Sequence, residues 1–126
     1  MQEKQRQRVT EALSTARQVV LSAGGPAQIQ AEVLACEAIG LILYVLVPRT
    51  SDLLFNLEIG TLVVATADIW QGRGAARLLP TGEYPNGLTI ACTPQAQWCE
   101  LIEIQPTQMI LQKRPGLIRG ETIDIW

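Results

Sequence analysis

Residues 48–79 read PRTSDLLFNLEIGTLVVATADIWQGRGAARLL, which predicts the end of a strand, a short helix and two further strands. Ser51 is suited to cap the helix, because its hydroxyl can accept an N–H group of the first turn that has no partner within the helix. Gly60 suits the left-handed residue that closes a helix. The β-branched run that follows predicts the next strand. A short helix between strands of one antiparallel barrel is uncommon, so this stretch decides the fold class.

Outward from this stretch, the apolar spacing of Val9, Ala12 and Leu13 predicts an amphipathic helix over residues 3–16. Apolar and alternating runs predict strands at Gln18–Ser22, Ala27–Ala35, Gly40–Val47, Thr61–Ala67, Arg73–Leu79, Gln97–Gln105 and Met109–Lys113, and the short helix covers Ser51–Ile59. Residues 80–94 predict a long loop with a short strand at Leu88–Ala91, and the C-terminal residues an extended tail. The fold class is therefore mostly β, a small antiparallel barrel of six or seven strands with two helices, in one domain over residues 1–126.

Several local details accompany these strands. In Ala27–Ala35 an apolar set alternates with a polar set, which predicts one dry and one wet face; the apolar set is Ile29, Ala31 and Val33, and the polar set is Gln28, Gln30 and Glu32. A turn is expected at residues 36–38. Pro106 predicts the end of a strand, since proline cannot donate to the ladder. Trp70 and Gln71 fall in a predicted hairpin loop, where Trp70 either stacks on a planar ligand or covers the end of the barrel.

The composition predicts that part of the surface is buried against a second copy of the chain. Of the 126 residues, 48% are apolar and 17% are charged, which is little charge for a small monomer, so we expect a homodimer. The net charge of −2 lacks the basic footprint of a nucleic-acid binder. The longest apolar run, Ile39–Val47, has about nine residues where a membrane helix needs about twenty. Neither nucleic acid nor a membrane is an expected partner.

The cysteines and the lack of histidine restrict the chemistry. Three cysteines without CxxC spacing indicate reduced thiols and a cytoplasmic protein, and the polar N-terminal residues do not resemble a signal peptide. We expect these thiols to be structural. The absence of histidine removes Ser–His and Cys–His pairs and most zinc sites. No metal site is therefore expected, no catalytic residue is assigned, and any chemistry needs a borrowed cofactor or the remaining polar side chains.

Two sets of residues are candidate sites. Arg49, Thr50 and Ser51 lie between a strand and a helix start, where N–H groups, a guanidinium and two hydroxyls suit a phosphate. The alternative is that Ser51 only caps the helix and Arg49 is a solvated loop charge. Arg73 and Arg77 share one face of a predicted strand. They meet an anion or a partner's carboxylates, or they line a wet strand face.

Two spacings in the chain carry a family resemblance. Ser51, Asn56 and Leu57 fit the pattern S-x-K-x-x-N-L apart from its lysine, and GRGAARLL contains G-x-A-R-L at residues 74–78. These motifs, with CELIEIQPTQMILQ and the ending GETIDIW, resemble the flavin-binding split-barrel family related to pyridoxamine 5′-phosphate oxidase. The resemblance extends over nearly the whole chain.

The resemblance implies a homodimer of split barrels with two FMN molecules in grooves between the subunits. The residues it implies around the FMN phosphate are Arg49, Thr50, Ser51 and Asn56, and the further cofactor-binding candidates are Gln30 and Arg73. The flavin ring would lie along residues 28–33 and 40–47, with Trp70 and Gln71 approaching it. Such proteins oxidise or reduce a small substrate by hydride transfer through the flavin, so histidine is not required.

The chain departs from the family pattern at Leu53 and Phe55, where the family carries basic residues. Each lost charge-assisted contact to phosphate costs about 1.5–3 kcal/mol. Three readings therefore stay open: an FMN-dependent oxidoreductase, a split-barrel homodimer that has lost flavin and serves as a ligand-binding or regulatory protein, and a dimer with another ligand such as haem or a deazaflavin. If the missing charge is the reason for a loss of FMN, a lysine at Leu53 is expected to restore binding.

Overall fold

The computed structural model describes residues 1–25, 28–57, 62–112 and 120–125. Within these ranges the helices and strands are α1 (Glu3–Thr15), β1 (Gln18–Ala23), β2 (Gln30–Ile39), β3 (Ile42–Pro48), α2 (Leu53–Leu57), β4 (Leu62–Thr66), β5 (Trp70–Leu78), β6 (Cys99–Leu111) and β7 (Glu121–Asp124). Three short 3₁₀ helices between β5 and β6 are Thr81–Glu83, Ile90–Cys92 and Pro94–Trp98. Predicted element ends that lie outside the described residues are Ala27, Ile59, Gly60, Thr61 and Lys113.

The strands form one antiparallel sheet in the order β3-β2-β1-β4-β5-β6-β7, and a further pairing of β3 with β6 closes the first six strands into a barrel. Residues 43–48 of β3 pair with residues 99–104 of β6, while β5 pairs with the other edge of β6. β7 adds to β6 beyond the end of β3. The predicted fold class is confirmed, with its N-terminal helix and its one short helix between strands. Neither helix, nor any other described part of the chain, offers a helical segment of the length and apolarity needed to span a bilayer.

Both helices contribute to the core of the barrel. The buried residues of α1 are Val9, Ala12 and Leu13, as their spacing predicts. The three leucines of α2 are buried in the same cluster, and α2 contacts β1, β2 and β5. α2 is only five residues long. A helix this short has little stability of its own, so the burial of its leucines holds it in place.

Trp70 is part of the core and does not lie in a hairpin loop. It begins β5, and its side chain is 2% exposed. The turn is shorter than predicted, because pairing of Thr66 with Gln71 extends the ladder and the Ala67 amide donates to the Trp70 carbonyl over 2.9 Å. The loop placement of Trp70 and Gln71 is therefore wrong. Of the two predicted roles, burial against the barrel is the one that the structure shows for Trp70.

A second apolar cluster lies on the outer face of β3 and β6, beneath the segment between β5 and β6. Its buried members are Tyr44, Leu46, Leu79, Leu88, Cys99 and Leu101. The expected strand at Leu88–Ala91 is wrong, since the segment forms 3₁₀ turns. The amides of Thr89 and Ile90 donate to the carboxylate of Glu37 instead of to a neighbouring strand. The segment therefore covers one outer face of the barrel.

Three strand boundaries differ from the sequence prediction. β2 runs through the turn expected at residues 36–38, because Gly40, with a φ of +60°, makes the turn instead. β6 continues through Pro106, where a register shift against β5 interrupts the regular ladder and accommodates a residue without an N–H. The strand predicted to begin at Met109 is the end of β6, and the predicted tail contains β7.

The two faces of β2 are opposite to those predicted. Ile29, which precedes the strand, is 82% exposed and Val33 is 66% exposed, whereas Leu34 and Cys36 are buried. Side chains alternate with a period of two, so a continuous strand that turns residues 34 and 36 inward must turn residues 31 and 33 outward. The prediction fails because it considered Ala27–Ala35 alone, and the buried positions that fix the register lie in the second half of the strand.

Glu37 fastens the covering segment to the barrel. Its Oε1 accepts hydrogen bonds from the Thr89 hydroxyl at 2.6 Å and the Ile90 amide at 2.9 Å, and its Oε2 accepts one from the Thr89 amide at 3.2 Å. Partial desolvation would raise the pKa of Glu37, but these hydrogen bonds outweigh it and hold the pKa below its ordinary value of 4.5.

We expect Glu37→Gln to lower the free energy of unfolding by about 1 kcal/mol at pH 7, because the amide loses the charge and one acceptor. A lowered folded-state pKa stabilises the fold above the unfolded-state pKa, and this contribution disappears as the pH falls through the folded-state value. The difference between the two proteins should therefore shrink as the pH falls below the ordinary glutamate pKa of 4.5 and through the lower folded-state pKa. Urea unfolding at several pH values measures it. Glu11→Gln on exposed α1 is the control, and equal effects of the two substitutions would contradict the role of Glu37.

Candidate functional site

The turn between β3 and α2 is organised by the hydroxyl of Ser51. It accepts a hydrogen bond from the Leu53 amide at 3.1 Å, which confirms the predicted cap, and it donates to Oε1 of Glu32 at 2.5 Å. Ser51 itself is 9% exposed. Glu32 comes from β2, so this bond ties the start of α2 to the sheet. Glu32 was not among the predicted site residues, because its only sequence signal is its place on a predicted wet strand face.

Arg49 is paired with a carboxylate in the same turn. Its Nε donates to Oε1 of Glu100 at 3.0 Å, and its Nη1 donates to the carbonyl of Gln97 at 2.6 Å. The side chain is 55% exposed, so the ion pair adds little stability. It nevertheless places a negative charge directly against the guanidinium. Thr50 is exposed beside it.

Asn56 holds α2 against the connection between β1 and β2. It is fully buried, and its Nδ2 donates to the carbonyls of Ala23 at 3.0 Å and Gln28 at 2.7 Å. Its Oδ1 lies so close to Gly25 that a Cβ at that position would approach it to 2.6 Å. Both hydrogens of the Asn56 amide group are directed at backbone carbonyls. Asn56 therefore has a clear architectural role where the family resemblance implies a phosphate ligand.

Gln30 and Arg73 lie on different parts of the barrel. Gln30 begins β2, two residues before Glu32, whereas Arg73 lies on the exposed face of β5. The strand order places β1 and β4 between them, so the structure brings Gln30 but not Arg73 towards Ser51. Arg77, on the same face as Arg73, pairs with Glu103 at 3.1 Å and Glu83 at 3.6 Å. The carboxylates that pair with Arg77 belong to the same chain, whereas the prediction had also allowed for carboxylates of a partner subunit.

The two positions that lack a basic residue have different environments. Leu53 is fully buried in the core, whereas Phe55 is 59% exposed. A lysine at residue 53 would place an ammonium among leucines, which is costly without a paired anion. The expectation that Leu53→Lys restores cofactor binding is therefore corrected: of these two positions, residue 55 is the one where a cation can face a ligand.

The charge of the turn does not suit a phosphate dianion. Arg49 is the only cation among residues 48–57, and Glu100 neutralises it. Two carboxylates add negative charge to the turn: Glu32, which is hydrogen-bonded to Ser51, and Asp52, the next residue in the chain. The hydroxyl proton of Ser51 is directed at Glu32 and the Asn56 amide at backbone carbonyls. In their present arrangement these residues do not fit the phosphate of FMN.

An apolar surface lies on the outer face of β1, β2 and β4, opposite the barrel core. We call it the outer apolar face, and its members are Val20, Ala31, Val33, Leu62 and Val64. Val20 pairs with Val33 across the ladder, and Ser22 pairs with both Ala31 and Val64, so these side chains are neighbours. Val33 is 66% exposed and Leu62 is 73% exposed. No described residue covers this face, in contrast to the outer face of β3 and β6.

A groove runs along one border of this face. It has a volume of about 700 Å³ and lies between the α1–β1 and β4–β5 turns, with Arg17, Asp68 and Trp70 in its wall. A smaller groove of about 250 Å³ shares Asp68 with it and extends to Val20 and Val33. Nη1 of Arg17 donates to the carbonyl of Ser14 at 3.1 Å. No sequence motif marked this groove, because its residues come from separate turns.

Two of the three thiols, Cys36 and Cys99, are buried, which agrees with the structural role expected of them, whereas Cys92 is exposed. Burial raises the pKa of Cys36 to about 11, and nearby Arg17 offsets this only in part. Burial also raises the pKa of Cys99. Thiols with raised pKa values are poor nucleophiles at neutral pH. Among the described residues, no group of three or more acidic or cysteine side chains is arranged to hold a metal ion.

No family model matches the chain, and no curated protein matches its sequence. Solved structures do match. General stress protein 26 from Bacillus anthracis str. Sterne has a TM-score of 0.66 at 17% identity, covering 94% of this chain and 97% of that chain. A Clostridium acetobutylicum protein related to general stress protein 26, of the pyridoxinephosphate oxidase family, has a TM-score of 0.69 at 11% identity, covering 99% and 97%. An FAD-binding protein from Mesorhizobium loti has a TM-score of 0.64 at 14% identity, covering 82% and 88%.

At these identities the likeness shows the fold. The chain is a split-barrel protein of the architecture shared by pyridoxamine 5′-phosphate oxidase-like and flavin-binding proteins, as the sequence resemblance predicted. Its binding function has to be argued from its own residues, since one fold carries many functions.

Asn56→Asp tests the architectural role of this side chain. The aspartate keeps the shape but replaces the donating amide by an oxygen that faces two carbonyls, so we expect the free energy of unfolding to fall by about 3 kcal/mol. Chemical denaturation measures the change. Asn86→Asp, in an exposed turn, is the matched control with an expected effect below about 0.5 kcal/mol. Equal effects at the two positions would contradict the buried bonds of Asn56.

Leu53→Lys and Phe55→Lys form a second matched pair. We expect the first to destabilise the fold by about 3 kcal/mol or more, because it removes a core leucine and buries a charge. The second should change stability by less than about 0.5 kcal/mol, because the residue is exposed. Thermal unfolding of both proteins measures the difference. A Leu53→Lys protein as stable as Phe55→Lys would contradict the orientation of α2.

Proposed function

We propose that this protein is a homodimer of split barrels joined through the outer apolar face, and that it binds a flat small molecule between the subunits without acting as an FMN-dependent oxidoreductase. The observation that carries the proposal is the combination of an apolar face that no described residue covers with a β3–α2 turn whose cation and hydroxyl are already engaged. The exposed apolar face favours a dimer. The engaged Arg49 and Ser51 disfavour a resident phosphorylated cofactor at the turn.

The outer apolar face supports the dimer. Exposed apolar side chains on neighbouring strands, here Val33 and Leu62, are typical of interaction surfaces. A face formed by neighbouring strands is suited to contact its own copy across a two-fold axis. The low charge content of the chain agrees with this. The segment between β5 and β6 packs on β3 and β6, and not on the outer apolar face.

The groove supports a ligand between the subunits. Its volume of about 700 Å³ lies in the range of small-molecule sites. Because the smaller groove reaches Val20 and Val33, a second subunit on the outer apolar face would provide another wall. The groove combines apolar surface with one basic and one acidic side chain, Arg17 and Asp68, which suits a flat ring with polar substituents.

An FMN-dependent oxidoreductase is the second candidate function. It is favoured by solved structures of the same fold that are described as members of the pyridoxinephosphate oxidase family and as FAD-binding proteins. A bound flavin would supply hydride transfer, and the chain would supply binding and orientation. The cytoplasmic location expected from the three cysteines belongs to either candidate.

The oligomeric state tests the first part of the proposal. Light scattering should give twice the chain mass of 13.8 kDa for the wild type. Val33→Lys should weaken the dimer about 100-fold or more, because a two-fold interface would bury the unpaired charge twice. Ile39→Lys is the control, since it lies on the same strand beyond the residues that pair with β1. A wild-type monomer at tens of micromolar, or dimers unaffected by Val33→Lys, would refute the interface.

An absorbance spectrum of the purified protein separates the two candidate functions. The binding-protein proposal expects no stoichiometric yellow cofactor, because the turn offers no unpaired cation to a phosphate. Stoichiometric FMN released on denaturation, together with its loss in Arg49→Gln, would establish the oxidoreductase candidate in its place.

A further inference from the structure

We infer that Glu32 determines which ligands this fold accepts at the β3–α2 turn: its carboxylate occupies the place of an anion there, so the ligand that reaches this turn carries no phosphate. The inference rests on the proposed function in that both assign this fold a ligand without a phosphate. It concerns the turn itself and not the groove, whose walls include neither Glu32 nor Ser51. In chemical terms it favours a neutral ring compound over its phosphorylated form.

The hydroxyl of Ser51 is already used by hydrogen bonds within the protein. A hydroxyl has one proton to donate, and that of Ser51 is directed at Oε1 of Glu32 at 2.5 Å. The Leu53 amide donates to the Ser51 hydroxyl oxygen at 3.1 Å, so that oxygen already accepts one hydrogen bond. A phosphate oxygen has no proton of its own to offer at neutral pH. It would therefore have to displace the Glu32 carboxylate before it could bond to this hydroxyl.

The charges of Glu32 and Arg49 also disfavour a phosphate at this turn. A phosphate at Ser51 would lie beside the Glu32 carboxylate, and like charges at a few ångströms repel strongly in a partly buried setting. Arg49 does not compensate, because its Nε is bonded to Glu100 at 3.0 Å and its Nη1 to the Gln97 carbonyl at 2.6 Å. A neutral ligand experiences neither the repulsion nor the competition.

The position of Glu32 in the sheet fixes its carboxylate at the turn. It lies opposite Leu21 in the antiparallel ladder of β1 and β2, so its backbone is fixed. The same alternation that buries Leu34 two residues further on directs the Glu32 side chain away from the outer apolar face and towards α2. The carboxylate is thus placed at the turn by the register of the strand.

The test compares riboflavin with FMN, which differ by the phosphate alone, in the full-length wild type and in Glu32→Gln. Glutamine keeps an oxygen that accepts the Ser51 proton but removes the charge. Fluorescence quenching at pH 7 should give a Kd for FMN no lower than that for riboflavin in the wild type. In Glu32→Gln the ratio of the FMN Kd to the riboflavin Kd should fall about tenfold, with riboflavin nearly unchanged. Glu11→Gln on α1 is the control and should leave the ratio as it is.

Three outcomes would overturn the inference: tighter binding of FMN than of riboflavin by the wild type, an unchanged ratio in Glu32→Gln, or no binding of either compound by either protein at tens of micromolar. A purely structural role of Glu32 would alter stability and leave the ratio constant. Light scattering on the same samples separates the two proposals. A monomer refutes the proposed dimer, whereas a dimer that prefers FMN refutes the role of Glu32 and leaves the proposed interface unaffected.

Discussion

The simultaneous pairing of β6 with β3 and β5 is the constraint on which the rest of the structure depends. β3 and β6 meet through residues far apart in sequence, and this pairing turns an open sheet into a closed barrel. Closure leaves the two ends of the barrel and its outer surface as the places where a site can form. It also gives β3 a fixed end at Pro48, after which the Ser51 turn and α2 follow.

The register of β2 links the proposed interface to the proposed specificity. One strand carries Val33 on the outer apolar face and Glu32 on the side that meets Ser51. A shift of a single residue would exchange these two surfaces and remove both features. The buried Leu34 and Cys36 therefore stabilise more than the core, because they also decide what the surface and the turn present.

The comparison with solved structures separates fold from function. Proteins described as FAD-binding or as members of the pyridoxinephosphate oxidase family have this architecture at identities of 14% and 11%. The β3–α2 turn of this chain combines a paired Arg49 with Glu32 and a buried Leu53. In this turn the one cation is paired and a second carboxylate is hydrogen-bonded to Ser51. The function of the barrel consequently depends on a few side chains at its edges.

The sequence by itself determined the fold class, the Ser51 cap and the α1 face with Val9 and Leu13, because these follow from local spacing and capping chemistry. Its prediction of the site residues stays untested. Only the tertiary structure decided that Asn56 bonds to backbone carbonyls, that Arg49 meets Glu100 and that Ser51 donates to Glu32. The physical reason is that each of these contacts joins strands or loops far apart in the chain, and neither periodicity nor motif spacing specifies which distant groups a closed barrel brings together.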